Sequence, residues 1–325
     1  MASSQRRRVL LTGATGFVGH ALAPHLVRAG WHVRGLTRHL EAGIDPHPLV
    51  EWCEGDIQKP QDDARALEGV EAAVYLVHAM TDGKDFERRE VDQAGRFAEA
   101  ARAAGVSRIV YLGGVAPRGT PSPHLHSRLA VGETLRRGPV PVIELRASMI
   151  VGHGSTSWLI VRDLAARLPL MVLPSWLRSR TQPVAIDDVV VALAAAVERR
   201  PAESASFDLP GPDVLTGRQI LEEAARQMNL RRPLVIDVPL LSPRLSSHWV
   251  HFVTRAPWHV ARELVEGLTH DLLARDERFW HDIGHPERLP FAEAARRALA
   301  QERRPEGPWG FVERLRQGHA RPAHA

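Results

Sequence analysis

The chain has 325 residues, 44% hydrophobic and 25% charged, the make-up of an ordinary globular enzyme with room for a sizeable core. Its net charge of +4 is carried almost wholly by arginine, with Lys59 and Lys84 as the two lysines and Arg6-Arg7-Arg8 as the longest basic block, which argues against a nucleic-acid surface. No run of about eighteen apolar residues occurs, so no membrane-spanning helix is expected, and the polar, basic start does not read as a signal peptide.

In chain order, Val9-Leu10-Leu11 is a short apolar run, followed by glycines at 13, 16 and 19 and then a helical pattern at Ala21, Leu22, Leu26 and Val27. A dinucleotide-binding strand–loop–helix requires that order. Gly13 permits the tight turn, Gly16 the approach of backbone to pyrophosphate, and Gly19 close packing of helix on strand. The free N–H groups at the helix start then face the phosphates. Thr12, Gly13, Thr15, Gly16, Phe17, Val18 and Gly19 are the expected contacts.

His32–Arg38 reads as the second strand. At its end, where a carboxylate would favour NAD(H), stand Thr37 and Arg38. A hydroxyl and a guanidinium suit a 2′-phosphate, which points to NADP(H) with NAD(H) as the alternative; a merely solvated arginine is the bland reading. Val50–Ile57 is the third strand and its turn. Cys53 within it, the chain's one cysteine, excludes an intramolecular disulfide and reads as a core thiol suited to a reducing cytoplasm.

Ala72–Met80 is an apolar strand whose carboxyl end, Val77 and His78, is expected to border the cofactor ribose. A helix over 85–104, stopped by Gly105, and strands over 108–114 and 141–146 complete a doubly wound parallel sheet. His124 and Arg128 lie one helical turn apart, on a common face.

The G-x-x-G-x-x-G spacing of Thr12–Gly19 resembles the fingerprint of the short-chain dehydrogenase/reductase superfamily in its extended and atypical branches. Ser122–Arg128, Glu144–Gly152, Gln182–Val189 and Phe207–Thr216 are also similar to its atypical NmrA-like and YbjT-like members, which are epimerase- and dehydratase-related. The resemblance covers about residues 8 to 320. It implies a Rossmann fold, a nicotinamide cofactor, and an adenine-edge contact from Asp56 and Ile57; stabilising a turn or capping a helix is the other reading of Asp56.

In the superfamily a serine ends the fifth strand and a Tyr-x-x-x-Lys pair opens the next helix, the tyrosine handling the carbonyl proton and the lysine lowering its pKa. Tyr75 and Tyr111 are the two tyrosines here, and Ala79 and Val115 follow them by four, so the dyad is absent. His124 stands in the tyrosine place, Arg128 in the lysine place, and Gly113 or Gly114 in the serine place. An imidazole can transfer protons near neutrality, a permanently charged guanidinium cannot; Arg128 is left with positioning ribose or phosphate, and His124 with proton transfer or positioning. Relatives of this kind include oxidoreductases and cofactor-binding sensors without turnover.

Beyond Gly152 the parallel pattern weakens. A helix over 156–168, strands over 170–173 and 183–186, a helix over 188–199 capped by Asp187, and a helix from Thr216 with Gln219 completing a capping box are expected. The aromatic-rich stretch 238–267 could line an apolar pocket, form a dimer face or touch a membrane surface. The His248/His251 and His281/His285 pairs lack the companions of a metal site. The tail 318–325 reads as disordered. The division expected is a Rossmann domain over 1–153, with 183–210 packing back onto it, and a smaller mixed substrate-binding portion over 154–325. The expected activity is cytoplasmic hydride transfer between NADPH and a small apolar carbonyl, enone or quinone, in a protein that binds no nucleic acid and no metal and could pair as a homodimer.

Overall fold

The computed structural model describes residues 7–40, 50–77, 85–167, 170–173, 178–230, 234–237 and 270–302. Strand and helix alternate through the first half: β1 (Arg8–Leu11), α1 (Phe17–Arg28), β2 (His32–Thr37), β3 (Val50–Glu54), α2 (Pro60–Leu67), β4 (Ala72–Tyr75), α3 (Phe86–Ala103), β5 (Arg108–Gly114), α4 (Pro123–Arg137) and β6 (Val142–Ala147). The chain continues through β7 (Ile150–Val151), α5 (Thr156–Arg167), β8 (Leu170–Leu173), β9 (Arg180–Thr181), β10 (Val184–Ala185), α6 (Ile186–Glu198) and β11 (Ala205–Asp208). It closes with β12 (Leu215–Thr216), α7 (Gly217–Gln227), β13 (Leu234–Asp237), α8 (Arg278–Asp282) and α9 (Phe291–Gln301).

Seven strands form one sheet in the order β11-β6-β5-β4-β1-β2-β3, every pairing parallel. The order reverses beside β1, which places a ligand crevice at the carboxyl ends of β1 and β4. Side chains alternate across the sheet. Val9 and Leu11 pack with Leu22 and Leu26 of α1 and Val189 and Leu193 of α6. Leu10 goes to the other face, with Phe97 of α3 and Val131 and Leu135 of α4. Each such fully buried side chain contributes roughly 1.5–3 kcal/mol. Both faces are covered, which is why the central strands read as unbroken apolar runs.

Local chemistry sets the helix ends. Gly105, at φ +76°, takes the left-handed position after α3, and Val106 N–H bonds Ala101 C=O at 2.9 Å. Pro123 opens α4 and the Ser122 hydroxyl caps it by accepting from Leu125 N–H. The capping box of Thr216 and Gln219 is formed. Asp187 is not a cap: α6 starts two residues earlier than expected, at Ile186 with Ala185 at the N-cap, and the Asp187 carboxylate in the first turn pairs with Arg297 at 3.1 Å. Cys53 is half-buried at the margin of the core, because β3 is an edge strand.

A third apolar cluster joins α5, α7 and α9 through Trp158, Ile220, Leu221, Phe291 and Ala295. The buried Asp188 carboxylate ties α6 to the segment before α9, bonding His285 Nε2 at 2.8 Å and accepting from Leu289 N–H at 2.9 Å. His285 is therefore engaged by a carboxylate, and no group of three metal-ligating side chains occurs among the described residues. His78, the His248/His251 pair, the stretch 238–267 and the tail 318–325 lie outside the described residues.

Candidate cofactor and active site

The β1–α1 turn is shaped by sterics. Gly13 sits at φ +65°, and a Cβ on Gly19 would lie 2.3 Å from Gly13 O and 2.8 Å from Ala14 Cα, so the first turn of α1 rests directly on the loop. Gly16 caps α1 without a side chain, and Thr15 and Gly16 are exposed. The first backbone N–H groups of α1 have no partner within the helix, the arrangement that receives a phosphate.

Two of the expected contacts have other duties. Thr12 is fully buried, and its hydroxyl donates to Val74 C=O at 3.2 Å and accepts from Leu76 N–H at 3.0 Å. It stitches β1 to the exit of β4 and thereby aims the loop. Thr37 is buried too, its hydroxyl folded back onto the His39 backbone. Arg38 beside it is exposed and has no acid partner among the described residues.

After β3, the Asp56 carboxylate accepts from Gln58 N–H at 3.0 Å, while the Asp62 carboxylate accepts from Asp56 N–H at 2.9 Å. Asp56 thus shapes the turn that carries Ile57, whose side chain is buried in the core. Arg96 of α3 braces it from below, donating to the carbonyls of Ile57 and Gln58. Val77 is half-buried just past β4.

The first turn of α4 closes over the end of β5. A Cβ on Gly114 would stand 2.5 Å from Leu125 Cδ1, and one on Gly113 would stand 3.0 Å from Glu144 Oε1 and from the Tyr111 ring. The places where a serine would project are thus taken by Leu125 and Glu144. His124, half-buried on that turn, has its ring 4.9 Å from the Phe86 ring at 32°. Arg128 is half-buried one turn on, and its carbonyl accepts from the Tyr111 hydroxyl at 2.9 Å. Ser127 between them is buried and donates to Glu90 of α3. The helix is thus held by polar ties that sequence spacing alone did not single out.

Neither phenol is free for acid–base work. Tyr75 accepts from Gln93 at 3.1 Å, and burial raises the pKa of both tyrosines well above the usual phenol value. Burial also pushes the Glu144 carboxyl up, against the opposing charges of Arg136 and Arg146.

Comparison with known proteins agrees with this geometry. A family model described as NAD(P)H-binding matches residues 13–164. The chain is 31% identical to the ceramide reductase of Caulobacter vibrioides over 248 residues, 74% of this chain and 76% of that protein. It is 27% identical over 237 residues, 70% of this chain and 75% of that protein, to the (4-alkanoyl-5-oxo-2,5-dihydrofuran-3-yl)methyl phosphate reductase of Streptomyces griseus. In fold it is similar to Citrobacter triphenylmethane reductase complexed with NADP(H), with a TM-score of 0.70, 19% identity, and coverage of 89% of this chain and 99% of that one. The Bordetella bronchiseptica enzyme WbmH in complex with NAD+ gives a TM-score of 0.67 at 17% identity, covering 90% and 97%. The glycine loop, the free first N–H groups of α1 and Arg38, without an acid partner among the described residues, fit a dinucleotide. The chain belongs to the short-chain dehydrogenase/reductase superfamily, among its atypical NAD(P)H-binding members.

Proposed function

We propose that the protein is an NADP(H)-preferring reductase that delivers a hydride to the carbonyl carbon of an apolar substrate, an enone or quinone included. The observation that carries the preference is Arg38, a guanidinium exposed at the end of β2 with no acid partner among the described residues. The glycine loop and the start of α1 would hold the pyrophosphate, Arg38 the 2′-phosphate, Asp56 and Ile57 the adenine edge, and Val77 and Arg128 the nicotinamide ribose. The bound nicotinamide supplies the hydride. The protein's own part is to position the carbonyl against it and to provide the proton for the developing alkoxide, from His124 or from water. A relative named for ceramide reduction makes a long-chain lipid carbonyl the first substrate class to test.

The test is NADPH oxidation over a panel of long-chain ketones, aldehydes, enones and quinones, with wild type and His124→Gln. Turnover on one class, lowered about a hundredfold in kcat by the substitution, supports the reading. The locked phenols favour one alternative, a cofactor-binding sensor. No turnover across the panel with NADPH binding intact would select it.

A further inference from the structure

Asp63 is the buried titratable group for which the cofactor site has no use. It lies on α2, only 1% exposed, and neither carboxylate oxygen has a hydrogen-bond partner. Its neighbours Ala66 and Leu67 share a core with Ile57, Tyr75 and Phe97. Burial raises its pKa to about 7, Arg96 of α3 opposes the rise, and Asp62 and Asp56 add to it. Tyr75 of β4 also interacts with it and is in turn influenced by Glu90 of α3, while Arg65 and Arg34 engage its neighbours on α2. Arg65 is bound to Asp62, and Arg34 to the carbonyls of Ala66 and Glu68.

Arg96 is the cation whose charge favours an ionised Asp63, and it is already in use. Its Nη2 donates to Ile57 C=O at 3.3 Å and Gln58 C=O at 3.2 Å, the carbonyls of the turn that Asp56 shapes. An unpaired buried carboxylate is costly, so ionisation must either draw the guanidinium inward or swing the carboxylate outward. The first movement takes the guanidinium off the turn.

We propose that Asp63 is a proton-operated latch on the adenine side of the cofactor site: neutral, it leaves Arg96 on the Ile57 and Gln58 carbonyls, and ionised, it pulls Arg96 away and loosens the turn. The proposal rests on the reading that Asp56 and Ile57 border the adenine. The experiment is calorimetric titration of the full-length protein with NADP+ between about pH 6 and pH 8.5, for wild type, Asp63→Asn, Asp63→Leu and Asp56→Ala. Ionisation of the 2′-phosphate and of the histidines is common to all and cancels in the ratios.

Wild-type affinity is expected to fall about fivefold or more relative to both Asp63 variants as the pH rises. Asp63→Leu suits the apolar surroundings and serves where the amide variant folds poorly. Parallel profiles in wild type and variants overturn the latch, even if thermal stability shifts with pH. Unchanged affinity in Asp56→Ala overturns the adenine-edge reading, a separate result.

Discussion

Arg38, with no acid partner among the described residues, and Asp63 are opposite cases: one titratable group meets water at a strand end and the other meets almost none. Arg38 costs nothing to leave unpaired, and a phosphate brought to it gains charge-assisted hydrogen bonds worth about 1.5–3 kcal/mol. Arg38→Ala is therefore expected to weaken NADPH roughly tenfold to a hundredfold and leave NADH almost unchanged, read by calorimetry. Equal losses for the two cofactors would place the phosphate elsewhere.

Asp63 acts on stability in the reverse sense to an ordinary paired aspartate. Its folded pKa, about 7, lies above the unfolded value near 4, so the folded state binds the proton more tightly. Its contribution is fully present below about pH 4, declines as the pH rises towards 7, and is lost above that. Asp63→Leu should accordingly stabilise the protein more at about pH 8 than at about pH 5, measured by urea midpoints. An equal gain at both would mean that Asp63 keeps an ordinary pKa.

At the scale of elements, the β1–α1 unit and α4 differ in how far their sequences disclosed them. The glycine loop was legible because its spacing is a steric record: Gly19 leaves no space for a Cβ against Gly13 O. Gly19→Ala should therefore lift α1 off the loop and abolish NADPH binding in calorimetry, with a lowered urea midpoint; retained binding would show that α1 tolerates the shift. The hydroxyls of Thr12 and Thr37 were not legible, since residue type does not reveal which backbone group a hydroxyl will meet. Asp187 and Asp188 are adjacent alternatives, and the sequence did not separate a surface partner of Arg297 from a buried anchor for His285 and Leu289. At α4, sequence put His124 and Arg128 on one turn, while the tie from Ser127 to Glu90 and the pressure of Leu125 on Gly114 depend on how α3 and β5 pack. Asp63 did leave a sequence signal. It precedes Ala66 and Leu67 by three and four residues, on the apolar face of a short helix.

For the whole molecule, one parallel sheet carries the cofactor machinery at the reversal of its strand order, and β11 extends that sheet from far along the chain. Asp188, through His285 and Leu289, and Asp208, which accepts from Arg275 N–H at 2.7 Å, hold residues 275–289 against α6 and β11 of the same layered frame. On the proposed reading such a frame would hold a dinucleotide and a carbonyl together, with positioning supplying much of the rate of hydride transfer. The most direct test is isotopic: NADPH carrying deuterium at the nicotinamide C4, incubated with the protein and the long-chain ketone panel, with the product read by mass spectrometry. Hydride transfer predicts an alcohol carrying the deuterium, formed from one face of the nicotinamide. Tight NADPH binding with no labelled product from any substrate would contradict it and leave a cofactor-binding protein without turnover.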